Sequence, residues 1–200
     1  MRGRGRTGRR VRAAALLGGG WLGWLCLGAW VTTPAPGAVG NELPAATEHE
    51  VKAAFLYNFA KFVDWPPRAF AEAGSPLVIG LVGEDPLGEV LPALVRSEQV
   101  KGRPLEVRRL APDGELAGCH LLYISRSEAA RTRGILERVR QQPVLTVSDQ
   151  EDFLAQGGMI NFVLFRGTVR FEINAGAAQA ARLKLSSKLL AVARAVVKST

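Results

Sequence analysis

The residues best suited to chemistry are few, and their spacing does not assemble them into a reaction centre. The chain has two histidines, His49 and His120, and beyond residue 40 a single cysteine, Cys119. Cys119 and His120 are neighbours on a predicted strand, so their side chains point to opposite faces and cannot form a nucleophile–base pair. The three residues also lack zinc-ligand spacing. The sequence therefore predicts no catalytic residues, no metal site and no cofactor.

Cys119 begins an apolar run, residues 119–124, that is typical of a strand. One interpretation is a small buried side chain that fills space in the core. A redox thiol, or one that forms an intermolecular disulfide, is the alternative. An internal disulfide is excluded beyond residue 40, because a second cysteine is missing there.

Polar side chains follow two of the predicted strands at their carboxyl ends. Ser125 and Ser127 follow the strand at 119–124, and Ser148 and Asp149 follow the strand at 143–147. Open α/β sheets bind small ligands in the crevice at this edge. These four residues therefore form a candidate ligand crevice, although serine and aspartate are also the ordinary caps of helices.

A helix is predicted over residues 47–65, and it is the strongest element of the chain. Thr47 and Glu50 have the spacing of a capping box, and the prolines at 66 and 67 cannot continue a helix. The apolar residues between them fall on one broad arc that is typical of packing into a core.

The opposite side of this predicted helix is rich in aromatic and polar residues. Such a mixture is preferred at partner-binding surfaces, where aromatic bodies are covered and polar tips stay satisfied. The candidate partner-binding residues, for another protein or for a homodimer, are Tyr57, Asn58, Lys61 and Trp65. The alternative is that they pack beneath the loop at 67–76.

The net charge of +8 does not indicate a nucleic-acid-binding protein. Residues 1–12 hold six arginines and no acidic residue, and the remainder has 20 basic residues against 18 acidic ones. A nearly neutral domain is poorly suited to binding the phosphate backbone of a nucleic acid. The basic start is followed by an uncharged apolar run at 13–31 and by small residues at 32–38, which is the layout of a secretory signal. We expect a signal peptide at 1–40, cleavage between 38 and 46, a domain at 47–198 and a periplasmic location; an uncleaved membrane anchor is the alternative.

Strand and helix patterns alternate through the predicted domain. Apolar runs at 77–82, 105–110, 119–124 and 143–147 predict strands, and 159–165 with 169–173 predicts an antiparallel hairpin. A single long helix is predicted after Asn174, with Val196 and Val197 in its buried stripe. The fold class is therefore α/β: one domain, a mostly parallel sheet with helices on both faces, and an antiparallel hairpin at one edge.

Six ordered motifs resemble the YfiR-like family of exported bacterial proteins. They lie at residues 52–66, 79–88, 144–149, 157–162, 169–174 and 183–190, and the resemblance spans roughly residues 48–197. It implies a periplasmic regulator that binds the periplasmic sensory domain of an inner-membrane diguanylate cyclase and inhibits it, lowering cyclic-di-GMP and biofilm formation. The best-known member has disulfides that tune its redox response, and the lone Cys119 departs from that pattern. A small-ligand-sensing domain that feeds a two-component or cyclase receptor is the alternative.

Overall fold

The computed structural model of the protein describes residues 46–84 and 87–198. The predicted signal segment, residues 1–40, lies outside the described residues. Within those two ranges, no helix is long and apolar enough to cross a lipid bilayer.

In the described part of the chain, five α-helices cover a central sheet. They are α1 (Glu48–Phe62), α2 (Leu87–Val95), α3 (Thr132–Val139), α4 (Ala175–Ala180) and α5 (Ser187–Val192). The strands are β1 (Val63–Asp64), β2 (Leu77–Val82), β3 (Gln99–Val100), β4 (Arg103–Leu110), β5 (Leu121–Ile124), β6 (Leu145–Ser148), β7 (Ile160–Phe165), β8 (Thr168–Asn174), β9 (Lys184–Leu185) and β10 (Ala195–Val197).

Eight strands form the main sheet in the order β10-β8-β7-β6-β5-β2-β4-β3. The pairs from β4 through β7 are parallel, and β7 pairs antiparallel with β8. Every residue of β2 is buried, as expected for a parallel strand covered on both faces. The α/β fold class with a mostly parallel sheet is confirmed, and so is the hairpin.

The β7–β8 hairpin turns through only two residues, Arg166 and Gly167. Both have positive φ angles, 51° and 72°. This backbone is that of the two-residue turns whose twist matches the flanking strands, and glycine adopts it without a steric cost.

Two hydrophobic cores lie on the two faces of the sheet. The larger core packs α1 and α2 onto the strands, with the rings of Phe59 and Phe171 edge to face at 5.0 Å between centroids. The smaller core joins α3 and Phe153 to the opposite face. Helices on both faces are therefore confirmed.

The first helix is shorter than predicted. The capping box of Thr47 and Glu50 is present, but α1 ends at Phe62, and the next two residues pair antiparallel with β9. Trp65 precedes a proline, which disfavours the helical conformation at that position. The prediction that Trp65 lies on the outer arc of the helix is therefore wrong.

The single long helix predicted after Asn174 is also wrong. Asn174 caps α4, which stops before Arg182, a residue with a φ of 60°. Ser186 then caps a separate helix, α5, and Val196 and Val197 belong to β10, which pairs parallel with β8. An outer strand therefore covers β8, where the sequence predicts an open edge.

Candidate functional site

The outer face of α1 presents an aromatic and cationic ridge. The hydroxyl of Tyr57 donates a hydrogen bond to Glu98, and the ammonium of Lys61 lies 4.9 Å from the centre of the tyrosine ring. The hydrogen bond to Glu98 raises the pKa of Tyr57. Asn58 is half-buried, and no hydrogen bond joins its side chain to another described residue. Tyr57, Asn58 and Lys61 therefore share one partly exposed face.

Trp65 lies away from that ridge, at the amino end of the parallel strands. Its indole N–H donates to the carbonyl oxygen of His120 at 3.0 Å, and the two rings meet edge to face. Phe70 stacks on the other side of His120, and the guanidinium of Arg103 covers Phe70 at 3.7 Å. Trp65 is half-buried in this stack.

His120 is buried and its tautomer is fixed by its two hydrogen bonds. Nδ1 accepts the backbone N–H of Val78 at 3.1 Å, so Nε2 carries the proton and donates to the carbonyl of Ala69 at 3.0 Å. Burial lowers the pKa of His120, and the charges of Arg103 and Arg108 lower it further, against the effect of the bond to Ala69. The imidazole is therefore neutral and holds the loop after Trp65 onto the sheet.

The carboxyl ends of β2 and β5 are closed by hydrogen bonds. The five parallel strands follow a flavodoxin-like order, whose ligand crevice opens between these two strands. Here the hydroxyl of Ser125 donates to the carbonyl of Glu84 at 2.7 Å, and the hydroxyl of Ser127 accepts the Glu84 N–H at 2.9 Å. Ser125 also caps the short helical turn that follows it. Both serines thus satisfy the protein's own backbone.

Ser148 and Asp149 are also engaged internally. The Ser148 hydroxyl donates to the carbonyl of Ile124 at 2.6 Å. Oδ2 of Asp149 lies 2.7 Å from the ammonium of Lys52, whereas its Oδ1 is buried and makes no hydrogen bond with the described residues. The structure therefore brings Ser125, Ser127, Ser148 and Asp149 to one edge of the sheet. The three hydroxyls and Oδ2 of Asp149 face protein partners, whereas Oδ1 of Asp149 does not.

Lys52 is the polar residue that the sequence prediction missed. Only 4 % of it is exposed, and it contacts Glu48 as well as Asp149. Burial lowers the pKa of Lys52, but the hydrogen bonds to Asp149 and Glu48 outweigh it, so the pKa is raised. The sequence did contain a signal for this contact. Lys52 lies four residues before Leu56, and this spacing places its charge on the apolar face of α1.

Cys119 is buried and free, and it lies against Gly80, where a Cβ would come within 2.9 Å of the sulfur. Burial raises the pKa of its thiol, although the charge of Arg108 acts in the opposite direction. A thiol with a raised pKa is less often the reactive thiolate. Among the described residues, no group of three or more histidine, cysteine or acidic side chains could hold a metal ion.

An exposed apolar border runs along the outer strands of the sheet. Of the six large apolar side chains that are exposed in the described residues, four lie on these strands: Leu164, Phe165, Val196 and Val197. A fifth, Val192, ends α5 three positions before β10; Val192 is 63 % and Leu164 62 % exposed. We call these five residues the β10 border. Sequence reasoning missed it because it placed Val196 and Val197 in the buried stripe of a helix.

The chain was compared with curated proteins and with models of protein families. No curated protein matches the chain. A family model described as YfiR/HmsC-like matches residues 49–194, from the first turn of α1 to the residue before β10. Because this match covers most of the chain, the protein belongs to the YfiR/HmsC-like family.

Proposed function

We propose that this protein is a periplasmic regulator that binds the periplasmic sensory domain of an inner-membrane diguanylate cyclase and inhibits it. Bound to that domain, it lowers the synthesis of cyclic-di-GMP. The protein acts by contact with its partner and forms or breaks no bonds of its own.

The observation that carries this proposal is the family match over residues 49–194. Membership in this regulatory, non-catalytic family supports, in general terms, a periplasmic regulator of a diguanylate cyclase. The sensory domain as target and inhibition as outcome are the finer parts of the proposal.

The geometry of the surface supports a role in binding. An inhibitor needs a stable body and a patch with apolar anchors and a few polar groups. The α1 ridge of Tyr57, Asn58 and Lys61 offers an aromatic ring flanked by a cation and an amide. We propose it as a contact with the sensory domain. Trp65 would act there indirectly, by holding the loop at 66–76 in place.

The ligand-binding alternative has less support from the geometry. Ser125, Ser127 and Ser148 bond to backbone groups of neighbouring strands and loops, and Asp149 pairs with Lys52. Apart from Oδ1 of Asp149, the side-chain polar atoms of these residues already have protein partners, and a small molecule that used them would first have to break those bonds.

The test is the cyclic-di-GMP level of the host with and without the protein. Deletion of the gene should raise the level, and expression of the full chain should restore it. A chain lacking residues 2–40 is the matched control, because it keeps the whole domain but lacks the proposed export signal. Restoration by both chains would contradict the periplasmic site of action, and an unchanged level after deletion would contradict regulation of a cyclase.

A further inference from the structure

The β10 border has the geometry of a strand-pairing site. β10 is the outermost strand of the main sheet, and no other described strand pairs with its free side. An unpaired edge strand presents N–H and C=O groups to which another extended chain can add. The side chains of Val196 and Val197 on this edge are about two-fifths exposed.

The border continues from β10 to the tip of the β7–β8 hairpin. Val197 pairs with Asn174 at one end of β8, and Phe165 pairs with Thr168 at the other end. Thr168 and Asn174 are six positions apart along β8, which is about 20 Å of strand. Arg194 joins the two ends, since its guanidinium lies 5.1 Å from the Phe165 ring and also pairs with Glu172.

The charge around the border has one sign. The charged side chains on the β7–β8 turn, on β8 and directly beside β10 are four basic residues and one acidic residue: Arg166, Arg170, Arg194, Lys198 and Glu172. The acidic one, Glu172, is already paired with Arg194. Arg166, Arg170 and Lys198 are exposed beside the apolar residues and have no acidic partner among the described residues. The border therefore selects for negative charge in whatever covers it.

We propose that the β10 border binds an extended, acidic segment of the partner protein, which adds as a strand alongside β10 and reaches the ring of Phe165. This inference deepens the proposed function, because it names the surface and the chemistry of the partner. Backbone hydrogen bonds to β10 supply affinity, and the arginines supply specificity for acidic side chains.

A second copy of the chain is the less favourable occupant. Two β10 strands paired about a two-fold axis would bring the Arg194 and Lys198 side chains of both copies together. Like charges placed across an interface oppose binding, whereas an acidic segment is attracted.

The test is site-specific photo-cross-linking of the full chain in its host. Phe165, Val197 and, on the α1 ridge, Lys61 are each replaced by p-benzoylphenylalanine. Leu94 is the control, because its exposure is similar to that of Phe165 and Val197 but it lies on α2, away from β10. Cross-linked peptides are identified by mass spectrometry. We expect both border positions to reach one acidic segment of one protein, and we expect position 94 not to reach it.

Charge reversal then tests the selectivity. The pair Arg170→Glu and Lys198→Glu should lower cross-linking and affinity for the identified partner about tenfold or more. Arg96→Glu, an exposed reversal that follows α2, should leave both unchanged. Thermal unfolding of each variant establishes that the domain is intact.

Each outcome decides between the alternatives. Three results would overturn the inference. They are cross-links to another copy of the chain, flotation of the protein with phosphatidylglycerol vesicles in place of protein cross-links, and the absence of any cross-link. Cross-links from both border positions to an acidic segment of a protein other than a cyclase would support it and contradict the proposed function. A cyclase sensory domain that cross-links from position 61 but not from 165 or 197 would support the function and overturn the inference.

Discussion

The ammonium of Lys52 lies 2.7 Å from Oδ2 of Asp149, although 97 residues separate them in the chain. The lysine belongs to α1, and the aspartate directly follows β6. Their contact therefore fixes the first half of the helix to the carboxyl ends of the parallel strands, at the edge where many related sheets bind ligands.

Substitution of Lys52 should destabilise the domain strongly. In Lys52→Met the side chain keeps its approximate length, but the Asp149 carboxylate is left without its cation. Removing one partner of a buried pair costs about 3 kcal/mol or more, because the remaining charge is uncompensated. Urea unfolding measures this change, and the double variant Lys52→Met/Asp149→Leu should recover much of it. A loss below about 1 kcal/mol for the single variant would mean that the pair is solvated.

Two substitutions at Trp65 should distinguish the contribution of its ring to stability from that of its hydrogen bond. Trp65→Phe removes the N–H donor and part of the indole but keeps an aromatic ring beside His120. The His120 carbonyl still accepts from Leu145 at 2.8 Å, so we expect a loss below about 1 kcal/mol. Trp65→Ala also removes the ring from the stack with His120, and about 2 kcal/mol should be lost. Denaturant unfolding of both variants checks the difference. Equal losses would show that the ring contributes little.

Stability should fall below neutral pH because of His120. Its pKa is lowered in the folded state, so the unfolded chain binds the extra proton first as the pH drops below about 6.5. The protonated ring can no longer accept from Val78, and it faces Arg103 and Arg108. The free energy of unfolding should therefore fall between pH 7 and pH 5, by at most about 1.4 kcal/mol per pH unit from this group. Because carboxyl groups also begin to titrate near pH 5, the pH dependence of the wild type should be compared with that of His120→Gln. We expect the free energy of unfolding of this variant to depend less steeply on pH. Equal pH dependences would exclude His120 as the cause.

The ridge on α1 should matter for binding and little for folding. Lys61 is exposed, so Lys61→Ala should change the free energy of unfolding by less than about 0.5 kcal/mol. If the ridge contacts the sensory domain, the same variant should raise the Kd several-fold and raise cyclic-di-GMP in the host. Arg133→Ala, which removes an exposed cation from α3, is the matched control. Identical Kd values for the two variants would place the contact elsewhere.

Substitutions at the hairpin tip should also weaken binding while leaving folding nearly unchanged, and the effect on binding should be larger than that of Lys61→Ala. Leu164 and Phe165 are exposed, so replacing both by serine should leave the unfolding midpoint nearly unchanged. Partner affinity should fall about tenfold or more, since aromatic anchors dominate interface energetics. Leu94→Ser removes similar exposed apolar surface from α2 and should bind as the wild type does. A large drop in the unfolding midpoint would assign the tip a structural role.

The elements with local signals were predictable from the sequence. Thr47 and Glu50 mark the start of α1, the unbroken apolar run of β2 indicates a strand buried on both faces, and the neighbouring runs at 159–165 and 169–173 indicate the hairpin. In each case, the residues that determine the structure lie within a few positions of one another.

The parts that were not predicted depend on distant partners. Leu183, Ser186 and Leu189 have helical spacing, but Ser186 begins a new helix, and Val196 and Val197 become a strand because β8 offers them an edge. Lys52 is buried only because Asp149 meets it from the end of β6. Trp65 lies outside the helix because β9 pairs with the two residues before it; the proline that follows was a local signal against a helical Trp65. No local pattern records these pairings.

The one-sided charge of residues 160–198 also bears on how fast a complex forms. A molecule with an excess of positive charge on one part of its surface is turned by the field of an acidic surface before the two touch. The protein and its partner would then make their first contacts at the β7–β8 hairpin. Added salt should slow this approach, whereas the lifetime of the finished complex should hardly change.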